Sequence, residues 1–171
     1  MKNLNKIVLP LSLLALTSTA ALASESSYFA TVKAFTEPTF AEATAMHFGK
    51  MNVIVGSVCT MDAAGAVTGD CDAADAAITQ GEITVSGLEK STAYNITVTG
   101  EAGASLTYTT AAEASDGTTT VTTADGVASA FTTDASATDI AVKLYGALAV
   151  TTELVAGSDN TVGYTVNVSF N

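Results

Sequence analysis

Two stretches of strict alternation limit this chain to one class of fold. In Tyr94-Asn95-Ile96-Thr97-Val98-Thr99, Tyr94, Ile96 and Val98 fall on one side. In the run 162–170, Val162, Tyr164, Val166, Val168 and Phe170 fall on one side, against Gly163, Thr165, Asn167 and Ser169. A period of two gives a strand one apolar and one polar face. Similar short runs ending at Gly, Asp, Asn or Ser predict strands near 28–36, 51–60, 82–86, 105–111, 118–123, 127–133 and 139–150. The 28 threonines suit half-exposed pleated surfaces. The expectation is an all-β, antiparallel β-sandwich of roughly eight to ten short strands, immunoglobulin-like in plan.

Little competes with that reading. Only 72–78 carries helical signal, because Asp72 and Asp75 can cap an Ala-rich turn. Asp116-Gly117 and Asp125-Gly126 are turn dipeptides, each suited to closing a hairpin. Phe29, Phe35, Phe40, Phe48, Tyr94, Tyr108, Phe131, Tyr145, Tyr164 and Phe170 are expected to supply most of the core's bulk. A transmembrane barrel needs strands of about 9–11 residues with aromatic girdles. Most runs here are shorter, aromatics are sparse, and the last residue is Asn171.

The amino end reads as a secretory signal over 1–23. Lys2 and Lys6 precede an apolar run from Ile7 to Leu16, and Ala21-Leu22-Ala23 is a small-x-small cleavage site before Ser24. The run is too short to span a bilayer, and no Cys stands at the cleavage site for a lipid. The expected mature chain is one domain over 24–171, with 24–45 an amino-terminal strand or extension. Its expected location is secreted: periplasm, cell surface or extracellular, with no membrane insertion after cleavage.

All 17 acidic residues lie beyond residue 23, against four lysines (Lys33, Lys50, Lys90, Lys143) and no arginine, giving the mature part a formal charge of −13. Such a surface repels phosphate, which excludes nucleic acid as a partner. Cys59 and Cys71 are the only cysteines, and an exported pair is expected to bridge.

Candidate sites are few. Asp62, Asp70, Asp72 and Asp75 cluster around the expected disulfide as a candidate calcium loop. They lack the Asp-x-Asp-x-Asp-Gly run of an EF-hand, and the competing reading is a solvated acidic loop with no cofactor. His47 is the only histidine, and no Ser stands in a Gly-x-Ser-x-Gly elbow. No carboxylate pair stands out, and the absence of Trp removes the usual sugar platform. The chain is therefore expected not to be an enzyme. Asn95-Ile96-Thr97 and Asn167-Val168-Ser169 match glycosylation sequons but lie in predicted strands behind a bacterial-type signal, so they are read as chance. In 28–35, Tyr28, Ala30, Val32 and Ala34 share an apolar face. Such a segment is either the first strand of its own sandwich or an assembly strand that adds to a neighbour's open edge.

Met46-His47-Phe48-Gly49, the turn Thr97-Val98-Thr99-Gly100 with its small-residue loop to Ala104, and the pair Tyr145–Val150 and Gly163–Val168 occur in that order. In this the chain resembles a family of secreted bacterial proteins known as Domain of Unknown Function 4402, from which the Cys59–Cys71 loop departs. The resemblance implies a β-sandwich and export, and no reaction. The chain is also similar, at the level of fold, to fimbrial subunits: small, exported, acidic, with one disulfide and an alternating last strand. The cysteines are closer together than in those subunits. The leading expectation is a structural or surface protein, adhesin-like or fimbria-like, whose partner is itself or another surface protein through strand addition. The alternative is an extracytoplasmic binding module for a cation or small ligand through the acidic loop.

Overall fold

The structure, a computed structural model, describes residues 30–32 and 34–171. Ala34–Asn171 forms one compact unit. It is all-β, with ten strands: β1 (Thr39–Thr44), β2 (Val58–Met61), β3 (Val67–Gly69), β4 (Gly81–Ser86), β5 (Ala93–Gly100), β6 (Leu106–Ser115), β7 (Thr120–Ala124), β8 (Ser129–Thr132), β9 (Ile140–Val150) and β10 (Tyr164–Phe170). Two antiparallel sheets pack as a sandwich. The larger has seven strands, and the smaller three in the order β10-β5-β8.

The larger sheet is organised around β9. One edge of β9 pairs with β6 along its whole length. The other edge pairs with β4 over 140–144 and with β2 over 146–149. The change of partner falls at Tyr145-Gly146, where Gly146 has φ +129°. A Cβ there would run into the Thr109 carbonyl oxygen, so this position requires glycine. The Tyr108 hydroxyl donates to the Tyr145 carbonyl at 2.6 Å.

The alternation read from sequence sets the core. Tyr94, Ile96 and Val98 are buried, as are Phe131 from the neighbouring β8 and Val85, Ile140, Val142 and Leu144 from the facing sheet. A second cluster, with Phe48, Met61, Leu106, Tyr108, Leu148 and Leu154, fills the end near β2 and β3.

Several expectations need correction. Residues 30–32 and 34–36 form no strand, and Tyr28 and Phe29 lie outside the described residues. Among the described residues the first strand is β1, which the sequence patterns missed along with the short β3. The run 51–60 yields a strand only from Val58. Residues 72–78 form successive turns, closed by Asp75 N–H to Asp72 O and Ile78 N–H to Asp75 O. Each of the two Asp residues captures the amide two positions on, which favours a turn over a helix. Asp116-Gly117 does close the β6–β7 hairpin. Asp125-Gly126 instead carries the chain from β7 in the larger sheet to β8 in the smaller.

That crossing is fastened by Asp125. Its Oδ1 accepts from Gly100 N–H at 2.7 Å and lies 2.8 Å from the Thr110 hydroxyl. The Gly100 amide first, and the Thr110 hydroxyl second, hold the Asp125 carboxyl below its ordinary value of 3.8. A carboxyl depressed on folding contributes its stability in full above the ordinary value. That contribution is lost as pH falls through the lower folded value. Thermal melts below pH 3.8 should therefore fall less steeply for Asp125→Asn than for the wild type. At neutral pH the variant should be less stable by about 1 kcal/mol, the contribution being cut by solvent screening. Parallel pH profiles for the two proteins would count against Asp125 as the fastener.

Candidate functional site: an open groove between the sheets

The acidic residues are placed by local turn chemistry. Asp62 Oδ1 accepts from Ala64 and Ala66 in the β2–β3 turn. Asp70 Oδ2 accepts from Val58 N–H across that hairpin. Asp72 holds Ala74, and Asp75 holds Ala77 and Lys50. These bonds, with Ala77 first, keep the Asp75 carboxyl below its ordinary value. Among the described residues no group of three or more His, Cys, Asp or Glu is arranged to hold a metal ion. The four carboxylates thus serve separate turns. Cys59 and Cys71 are bonded, with Cα atoms 5.4 Å apart. His47 sits in a bridge to Thr79, and its Nδ1 accepts from Gly49 N–H at 2.8 Å.

The two sheets differ in width. At the level of the main core the larger sheet presents β7-β6-β9-β4-β1, and the smaller only β8-β5-β10. The outermost strand, β1, is left uncovered. Phe40 stands opposite Val85, and Glu42 opposite Ile83. Directly opposed residues share a face, so Phe40 and Glu42 point the same way as two core residues. Val85 is 0% exposed, yet Phe40 is 48% exposed.

The other wall is β10. Among the described residues β10 pairs with β5 alone, which leaves its outer edge of amides and carbonyls unpaired. Tyr164, Val166 and Val168 pack against the core but are only half-buried. Burial first, and the Glu42 carboxylate second, push the Tyr164 hydroxyl up from its ordinary pKa. The β7–β8 crossing sets β8 against β7, so the opposite edge of the smaller sheet, β10, lies on the β1 side of the sandwich. The groove therefore runs between the inner face of β1 and the open edge of β10.

Its two ends differ. One end is closed by aromatic rings: Phe35 lies 4.3 Å from Phe170, and Phe170 lies 5.0 Å from Tyr94. The other end opens into a cleft of about 840 Å³ lined by Met46, Phe48, Leu106, Tyr108, Leu154 and Val162. Met46 and Tyr164 pack against both core clusters, so the two cores adjoin at this end.

Of the expected assembly face, Tyr28 lies outside the described residues. Ala30, Val32 and Ala34 are exposed and outside any strand, Val32 at 90%. The sequence reading places Phe40 in the core and Met46 in the Met46-His47-Phe48-Gly49 motif, and assigns neither to a groove. Expected core aromatics that turn out exposed mark the groove: Phe35 at 58%, Phe40 at 48% and Phe170 at 41%. No family model, curated protein or solved structure matches this chain.

Proposed function

We propose that this protein is an exported, non-catalytic structural subunit of the cell surface, fimbria-like in character, that is completed by a β-strand from another chain. One observation carries the reading: an inner-face aromatic of β1, Phe40, is 48% exposed, on the side of the sandwich where β10, among the described residues, pairs with β5 alone. An added strand would satisfy the backbone groups of β10 and cover Phe40, Val166 and Val168 in one step. A contact that joins an edge on one copy to a segment of the next is head-to-tail and does not close on itself, so it grows a polymer. The alternative of a cation-binding loop draws less support, because turn amides already occupy the carboxylates of Asp62, Asp70, Asp72 and Asp75.

Sedimentation and electron microscopy of the exported protein provide the test. The wild type should form linear oligomers. Val166→Arg, which sets a charge in the groove wall, should give a monomer with an unchanged β-sheet circular dichroism spectrum. A wild type that stays monomeric at high concentration overturns the proposal.

A further inference from the structure

A strand laid along β10 would use the groove and leave the cleft at its far end unassigned. We infer that this cleft is a separate site for a small molecule with an apolar body and an ammonium head, the head meeting Asp159.

The floor calls for hydrocarbon. It is built from Phe48, Leu106, Tyr108, Leu148 and Leu154, all core residues of the second cluster. The Phe48 ring stands edge-on to the Tyr108 ring, with centroids 5.8 Å apart. The Tyr108 hydroxyl already donates to the Tyr145 carbonyl at 2.6 Å. The floor therefore leaves no hydrogen bond unmet and offers rings and methyl groups, a surface that fits an apolar ligand body.

The walls are preformed. One is the stretch 46–53, braced from behind by 70–79: His47 exchanges two backbone bonds with Thr79, Lys50 O accepts from Asp72 N–H, and Asn52 N–H donates to Asp70 O. Gly49, at φ +76°, lies so close to Ile78 that a Cβ would stand 2.8 Å from it. The other wall is 154–162. It is tied at one end by Leu154 N–H to Val53 O at 3.0 Å, and just past the other by Glu101 N–H to Gly163 O at 3.1 Å. A cavity held open by its own backbone bonds needs little reordering when a ligand enters. The amides of His47, Gly49, Lys50 and Asn52 are all bonded, so a peptide strand would gain little of a ladder along this wall. The volume of about 840 Å³ suits a small molecule, whose sites run from roughly 300 to 1,000 Å³.

Charge selects the head group. The ionisable residues along the cleft, besides the buried Tyr108, are His47, Lys50, Asp75 and Asp159. Lys50 Nζ lies 3.7 Å from Asp75 Oδ2, so those two charges offset each other. His47 is counted neutral. Asp159 is exposed and, among the described residues, has no basic partner. The long-range field has the same sign, because acidic residues outnumber basic ones 17 to 6 in the chain. Such a field draws a cation toward the cleft and repels a carboxylate.

Titration calorimetry and amide NMR of the disulfide-bonded protein with n-octylammonium, 1-octanol and octanoate test the site, its place and its charge preference. n-Octylammonium should bind one to one, roughly threefold tighter than 1-octanol and about tenfold tighter than octanoate, the scale of one exposed ion pair gained or one like charge opposed. Its shift changes should concentrate in 46–53 and 154–162. Asp159→Asn should remove the advantage of n-octylammonium over 1-octanol and leave 1-octanol binding unchanged. Octanoate binding as tightly as n-octylammonium overturns the ammonium head, and an Asp159→Asn protein that keeps the advantage overturns the role of Asp159. Shift changes centred on Phe40, Val166 and Val168, or no saturable binding at millimolar ligand, overturn the site. Val166→Arg, which tests strand acceptance, should leave all three affinities unchanged, so the two readings stand or fall apart. Loss of n-octylammonium binding in that variant would put the ligand in the groove and overturn the cleft as its site.

Discussion

Replacing Tyr94 with alanine should cost about 4 kcal/mol, a large share of the roughly 5–15 kcal/mol that keeps a typical domain folded. Tyr94 is 1% exposed in the central strand of the smaller sheet. It stands opposite Phe131 on one side and Phe170 on the other. Its ring is 5.0 Å from Phe170, and its hydroxyl accepts from Glu89 N–H at 2.8 Å. Truncation opens a cavity beneath both edge strands and strips that amide of its acceptor. Tyr94→Phe separates the two effects, because it keeps the ring and should cost only about 1 kcal/mol. Urea denaturation of the three proteins reads both differences. A Tyr94→Ala protein within about 1 kcal/mol of wild type would show that this ring is not the centre of the smaller sheet.

The second large effect belongs to the disulfide. Removing it with Cys59→Ala and Cys71→Ala should cost about 3 kcal/mol. The bond spans a separation of 12 residues and restrains the unfolded chain at that scale. In the folded state it joins the start of β2 to a residue that already bridges to Met51. Since that pairing exists without the bond, the fold should survive and its fluctuations should concentrate at the β2–β3 end. Alanine is the right replacement, because Cys59 is 0% exposed and a serine hydroxyl there would be buried. Comparing denaturation midpoints of the variant and of reduced wild type gives the value. Equal stability with and without the bond would contradict it.

The two stretches that alternate most cleanly in the sequence became β5 and β10, and the long run 139–150 became β9. Strands with one covered face announce themselves because burial demands apolar residues at every second position. β1 did not, and its inner-face residues show why. Phe40 and Glu42 follow each other on a face that the opposite sheet does not cover, so nothing required a hydrophobic pattern there. The groove was illegible for the same reason. A gap between sheets is a difference in strand count, and no single residue encodes it. The acidic loop was ambiguous for a different reason. Clustered Asp residues suit a cation and suit turns equally well, and only the positions of the amides show which use each oxygen serves.

Making Ile140–Val150 the strand that joins β2, β4 and β6 has a consequence for how the chain is built. The first 139 residues contain three strands of the larger sheet that touch one another only through a strand not yet synthesised or delivered. A chain emerging amino end first is therefore held open until the centre of its sheet arrives. Its folding is then dominated by contacts distant in sequence, which are slow to form. A chain that stays open until Ile140–Val150 arrives has its order of assembly written into the position of one strand.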